Sequence, residues 1–262
     1  MARKTKTSRK GSNEFVLHEG TGNSKLLVSV SAKNEGQKKA LRAISENQVT
    51  FLYGVPGSGK SHCAVGWGIQ EMLKGRYERV IFTRPYVEAG EKLGFLPGNF
   101  DAKMGWAVMP LYEVVSDYLS HDAIKELIEE KKIMIYPIAY MRGCTFKNSY
   151  VIADEMQNST RQQMRMILTR IGEGSKIVCT GDVEQSDLIG NSNGLSDAIA
   201  RLNGVRGLEF VEMTYESCVR EKIVSDIDAR YKETKAITLD LRKMRDSNVH
   251  NNGTAEVGHG SL

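Results

Sequence analysis

Val49-Thr50-Phe51-Leu52-Tyr53-Gly54-Val55-Pro56-Gly57-Ser58-Gly59-Lys60-Ser61 is the stretch that decides the fold. Its last eight residues fit G-x-x-x-x-G-K-[ST] at every fixed position. The apolar run VTFLY leads in, and a helical run from Lys60 to Leu73 leads out. Glycines let a backbone curl so that successive N–H groups point at phosphate oxygens, and the helix start behind them adds a favourable dipole. Gly54, Pro56, Gly57, Ser58 and Gly59 are therefore expected to form a phosphate cradle. Lys60 would reach the β- and γ-phosphates, and Ser61 would offer a hydroxyl to Mg²⁺. A plain glycine-rich turn is the alternative, and the strand before and helix after speak against it.

Outward from this loop, short apolar runs alternate with longer helical patterns. Strands are expected at Val49–Tyr53, Val80–Thr83, Ile133–Tyr136, Tyr150–Ala153, Lys176–Thr180 and Leu208–Met213. Runs this short, rich in Val and Ile and apolar on both faces, suit a covered parallel sheet. Helices are expected at Glu35–Asn47, Lys60–Leu73, Met109–Leu119, Asp122–Lys131, Thr160–Ile171, Leu195–Leu202 and Arg220–Lys232, with Thr160 and Ser196 as helix starts. In the last helix Ile223, Ile227 and Tyr231 share one face. Met164 and Met166 read as core packing. The alternation predicts a doubly wound α/β fold with a mostly parallel sheet. From Pro85 to Pro110 the pattern breaks: Pro85, Gly90, Gly94, Pro97, Gly98 and Gly105 interrupt a long connection of the kind that tends to be functional.

A second part of the site is expected where Tyr150-Val151-Ile152-Ala153 ends in Asp154-Glu155. In P-loop enzymes an Asp at such a strand end holds Mg²⁺, and an adjacent Glu can take a proton from the attacking water. Thr180-Gly181-Asp182 closes another apolar strand, with Gln185 and Asp187 after it. Asp182 has two readings: a γ-phosphate or water-positioning group, or a turn residue ending its strand.

Of the 36 Lys and Arg residues, five lie in residues 1–10, which leaves 31 basic against 32 acidic side chains in the rest. The net charge of +4 thus belongs to a short arm, suited to phosphate backbones or simply to solvation. Residues 1–23 read as a disordered basic arm, 24–240 as the ATPase domain and 241–262 as a tail. The basic start runs into Gly11, Ser12 and Asn13 without an apolar core, so no secretory signal is expected. No apolar run reaches the roughly 18 residues of a membrane span, and a cytoplasmic location is expected. Cys63, Cys144, Cys179 and Cys218 show no C-x-x-C pair, which argues against zinc and for reduced, mostly buried thiols.

Arg84-Pro85 followed by VEAGEKLGFLPG (87–98) resembles the PhoH family of P-loop ATPases. Further motifs line up in order: Gln37, the P-loop, Met141-Arg142-Gly143 with Thr145-Phe146, Asp154-Glu155-Met156-Gln157-Asn158, Gly181-Asp182 with Gln185 and Asp187, and Val219-Arg220. The resemblance covers about residues 33–235. It departs at Met156, where the family often has Ala, and at Glu221, where it often has His. It implies a three-layer RecA-like core, related to the ATPase half of superfamily 1 helicases, that binds ATP and Mg²⁺. It also implies that Gln37 contacts adenine, Gln157 couples the γ-phosphate to a partner site and Arg220 is an arginine-finger candidate. By their residues alone, Gln37 could equally be a helix-surface group, Arg84 a nucleic-acid contact or a carboxylate partner, and Arg142 a phosphate contact or a loop tie.

Superfamily 1 and 2 helicases complete the ATP site with an arginine from a second lobe, and this sequence has room for one lobe. A homo-oligomer, hexameric by expectation, follows for a motor of this kind. RNA or single-stranded DNA is the expected partner, although the core shows no basic and aromatic interleaving. No nuclease or RNA-binding module is read beside the core, so nuclease action is not expected. Two other classes compete: a nucleotide-gated binding protein with slow hydrolysis, and a P-loop nucleoside kinase. The kinase reading wants a zinc-bearing C-x-x-C lasso that these cysteines do not supply.

Overall fold

Alternate residues of the same strands bury themselves in two different cores. Leu52, Val80, Phe82, Tyr150, Ile152 and Val178 belong to one, while Phe51, Ile81, Val151, Ala153, Ile177 and Cys179 belong to the other. Side chains alternate across a pleated strand, so a sheet buried on both faces must be apolar at every position. The computed structural model describes residues 25–85, 109–186, 193–218 and positions 223, 224, 226, 227 and 230.

The six described strands are β1 (Val49–Gly54), β2 (Arg79–Thr83), β3 (Ile133–Ile135), β4 (Ser149–Ala153), β5 (Lys176–Gly181) and β6 (Leu208–Met213). All of their pairings are parallel, in the order β3-β2-β4-β5-β1-β6. The strand feeding the P-loop, β1, is thus separated from the acid-bearing β4 by β5 alone. Phe51 lies opposite Cys179, and Ile152 opposite Val178. Helices cover both faces, which gives a three-layer α/β architecture with its strand ends along one edge of the sheet.

The helices are α1 (Glu35–Glu46), α2 (Lys60–Leu73), α3 (residues 109–116), α4 (His121–Glu129), α5 (Arg161–Leu168) and α6 (Gly194–Leu202). Residues of α1 to α4 pack in the first core, and those of α5 and α6 in the second, where Met164 is buried and Met166 packs beside it. Asn34, Ser120, Thr160 and Asn193 cap α1, α4, α5 and α6 through their side chains. Thr160 adds a reciprocal bond with Gln163, a capping box. Ser196 is not a helix start. It sits in the first turn of α6 and donates its own N–H to Asn193 at 3.2 Å, because the Asx oxygen two residues before Leu195 is better placed to accept.

Lys176 opens β5 inside the protein, at 8% exposure. Its ammonium donates to the carbonyls of Ile44 and Asn47, and to that of Ser45 at 3.4 Å. These carbonyls end α1 and have no helical partner of their own, so the cation also meets the negative pole of the helix. Burial pulls the ammonium down to about 8, which leaves it charged at neutral pH.

Residues 86–108, which hold most of the expected long connection and the whole of VEAGEKLGFLPG, lie outside the described residues. Val219–Leu262 form a separate unit, of which the described positions are helical; Ile223 and Ile227 are exposed there. Cys63 and Cys179 are buried, whereas Cys144 and Cys218 are half-buried. No helix among the described residues is long and apolar enough to cross a membrane. Lys176→Met should cost about 1–3 kcal/mol by stranding the α1 carbonyls. Urea unfolding at pH 7 measures this, and an unchanged midpoint would refute the capping role.

Candidate nucleotide site

The phosphate loop is shaped by what surrounds it. Gly54 ends β1 at φ 120°, with the Met213 carbonyl of β6 pressed against the place a Cβ would take. Val55 N donates to that same carbonyl at 3.1 Å, which pins the loop entrance to β6. Ser58 Oγ then donates to Val55 O at 2.8 Å, closing the curl of Pro56 and Gly57. Gly59 stands at φ 90°, a left-handed conformation that costs an L-residue roughly 1–2 kcal/mol. Lys60 follows as the first residue of α2.

No side chain caps α2, in contrast to α1, α4, α5 and α6. The positive end of this helix favours an anion. Lys60 Nζ lies over the same mouth, donating to Gly54 O and Val55 O at 2.7 Å each. Below the loop, burial pushes the Cys63 thiol up to about 12, so it acts as a small apolar residue. Burial also holds His62 below its ordinary value, with Asp117 opposing and Lys33 adding to the effect.

The carboxylates arrive on β4. Asp154 N continues the ladder by donating to Thr83 O at 2.9 Å. The Asp154 side chain is 5% exposed, and its Oδ1 accepts from Ser61 Oγ at 3.1 Å and from Thr180 Oγ1. One carboxylate oxygen thereby joins α2, β4 and β5. Glu155 turns the chain at φ 54°, leading into a 3₁₀ turn, Met156–Asn158. Its Oε1 lies 3.3 Å from Arg84 Nη2, and its Oε2 accepts from Gln157 Nε2. Gln157 is buried, and its Oε1 accepts from Asp182 N at 3.0 Å. The Asp182 carboxylate accepts from Glu184 N at 3.0 Å, which is the turn reading of that residue.

Gln37 is buried at 4% exposure and braces the loop, so it is not a helix-surface group. Its Oε1 accepts from Lys33 N at 2.9 Å, and its Nε2 donates to Ser58 O at 3.2 Å. Arg142 is exposed after the 3₁₀ turn Ile138–Met141. Gln185 is exposed, and its N–H closes the turn onto Asp182 O at 3.2 Å. Asp187 and Arg220 lie outside the described residues.

Thus the structure gathers Gln37, Gly54, Pro56, Gly57, Ser58, Gly59, Lys60, Ser61, Asp154, Glu155, Gln157 and Asp182 along one edge of the sheet. Sequence reasoning missed the Thr180 bond to Asp154 and left the Arg84 partner open; both depend on which strands are neighbours. Among the described residues no three His, Cys, Asp or Glu side chains gather as a metal site. The donors present are one carboxylate and one hydroxyl. That set fits Mg²⁺, which keeps waters and takes phosphate oxygens, and does not fit a closed structural metal.

A parallel sheet with an uncapped P-loop helix facing an acidic strand end defines a P-loop NTPase. The chain belongs to the PhoH family: the family model described as PhoH-like protein matches residues 29–232. It is similar to a PhoH-like protein of Synechocystis, 41% identical over 79% of this chain and 63% of that one. The PhoH-like protein of Bacillus subtilis is 42% identical over 78% of this chain and 64% of its own. Protein PhoH of Escherichia coli is 38% identical over 74% and 56%. The chain therefore spans less than two-thirds of the length of these relatives. Among solved structures, the Pif1 helicase from Candida albicans overlaps 71% of this chain and 40% of its own at a TM-score of 0.37 and 16% identity. Bacteroides Pif1 in complex with ADP-AlF4 overlaps 71% and 43% at 0.37 and 14%. A likeness this loose fixes neither fold nor function.

Gly59→Ala should lower the melting temperature by about 2–8 °C, from the left-handed strain at a domain of this size. The same substitution should weaken ATP binding, since its methyl would press on Gln37. A variant that melts and binds like the wild type would show that the loop does not need this backbone.

Proposed function

We propose that the chain binds ATP with Mg²⁺ and hydrolyses it. The observation that carries this reading is the meeting of Ser61 and Asp154 at 3.1 Å, beside a lysine at the mouth of an uncapped helix. The loop from Gly54 through Pro56, Gly57, Ser58 and Gly59 would cradle the phosphates. Lys60 would exchange its two loop carbonyls for phosphate oxygens, a stronger, charge-assisted partner. Ser61 and Asp154 would hold Mg²⁺, which when bound neutralises charge on the phosphates. Glu155 would take the proton of the attacking water, with Gln157 linking it to Asp182 at the end of β5. Gln37, already against the loop, would contact adenine.

The ATPase domain is proposed to span residues 24–240, between the basic arm 1–23 and the tail 241–262, and to work in the cytoplasm. A homo-oligomeric ring, taken as hexameric, would let Arg220 of one subunit complete the site of the next. Such a ring would couple hydrolysis to RNA or single-stranded DNA in a helicase-like manner. A slow nucleotide switch is the second reading. The observation favouring it is that both oxygens of Glu155 already have partners.

Steady-state phosphate release decides between these readings. Lys60→Ala should lose about 10²- to 10³-fold and Glu155→Gln about 10²- to 10⁴-fold. Absence of Lys60-dependent release would end the ATPase reading, while release that RNA and DNA leave unchanged would favour the switch. Mixing Arg220→Ala with Glu155→Gln subunits should restore turnover if the arginine works across an interface. A dead mixture, or only monomers by mass photometry with ATP and Mg²⁺, would count against the ring.

A further inference from the structure

Asp154 and Glu155 are neighbours in sequence, yet their carboxylates have different partners. Asp154 meets Ser61 and Thr180, on the side of β5 and β1. Glu155 meets Arg84, the residue after β2, and β2 flanks β4 on the other side. The remaining oxygen of Glu155 is taken by Gln157. A general base must come within hydrogen-bond reach of the proton it removes. An oxygen already engaged by a guanidinium is not free to take that proton.

From these contacts we propose that Arg84 is a positioning residue that keeps one oxygen of Glu155 occupied and restrains turnover until the pair opens. The inference rests on the reading of Glu155 as the base for ATP hydrolysis. Arg84 and Glu155 are 25% and 37% exposed, so water and salt weaken their attraction and the restraint is light. A light restraint is reversible. An anion that takes up the planar guanidinium fork competes directly with the Glu155 carboxylate. Gln157 binds the other oxygen of Glu155 and accepts from Asp182 N, which links the side chain to the end of β5 independently of Arg84.

The test is phosphate release at saturating ATP from full-length wild type, Arg84→Ala, Arg84→Lys, and Arg84→Ala combined with Glu155→Gln. Arg84→Ala should raise kcat about two- to fivefold with KM unchanged, the size a part-exposed ion pair can impose. Arg84→Lys, which keeps the charge, should return kcat toward wild type. The double variant should be as inactive as Glu155→Gln alone. A kcat for Arg84→Ala equal to or below wild type, with binding of a fluorescent ATP analogue intact, overturns the restraint and leaves the ATPase reading standing. Accelerated release that survives Glu155→Gln also overturns it, because Arg84 would then act elsewhere. If neither wild type nor Arg84→Ala shows release that depends on Lys60, the ATPase reading falls and the restraint with it.

Discussion

The contact between the Ser61 hydroxyl and the Asp154 carboxylate is the constraint on which the rest depends. These residues are far apart in the chain: Ser61 opens α2 behind β1, Asp154 follows β4, and those two strands are not neighbours. They meet because β5 lies between β1 and β4 and brings Thr180 to the same oxygen. The register Phe51 to Cys179 and Ile152 to Val178 sets where each strand stops. A shift of one residue in either pairing would send each side chain into the opposite core and separate the two groups.

The two cores explain why that register is firm. Each strand contributes apolar residues to both faces, and Phe51, Leu52, Tyr150 and Ile152 are fully buried. Burying one such side chain is worth about 1.5–3 kcal/mol, so a slip that mispacked several would cost a large share of the stability of an ordinary domain. Tyr150 also ties the layers together, donating from β4 to Ala64 O of α2 at 3.0 Å. The buried frame can therefore hold polar groups at its edge without their having to pack.

Much of this was legible in the residues. VTFLY, VIFT and YVIA are apolar at consecutive positions, which only a sheet covered on both sides explains. The P-loop announces its strand and its helix by itself. What stayed hidden was whatever depended on strand order or on choosing between nearby caps. Thr180 reads as the last residue of a strand until β5 is placed beside β4. Arg84 reads equally as a nucleic-acid contact or a carboxylate partner until β2 is placed on the other side. Ser196 reads as a helix start by residue type alone. The asparagine oxygen, reaching both Leu195 N and Ser196 N, decided otherwise. Asp182 could not be resolved from composition, since a strand-end aspartate serves a turn or a ligand with the same side chain.

Helix α1 is gripped at both ends. Near its start, Asn34 accepts from Gln37 N and donates to Ser217 O at 3.0 Å; at its finish, the buried Lys176 holds the last carbonyls. Gln37 rides on the first turn of this rod with its amide against Ser58. A rod pinned in this way has little slack, so a load applied at Gln37 is not absorbed by local sliding. One helix thus joins the mouth of the loop to the foot of the strand that carries Thr180.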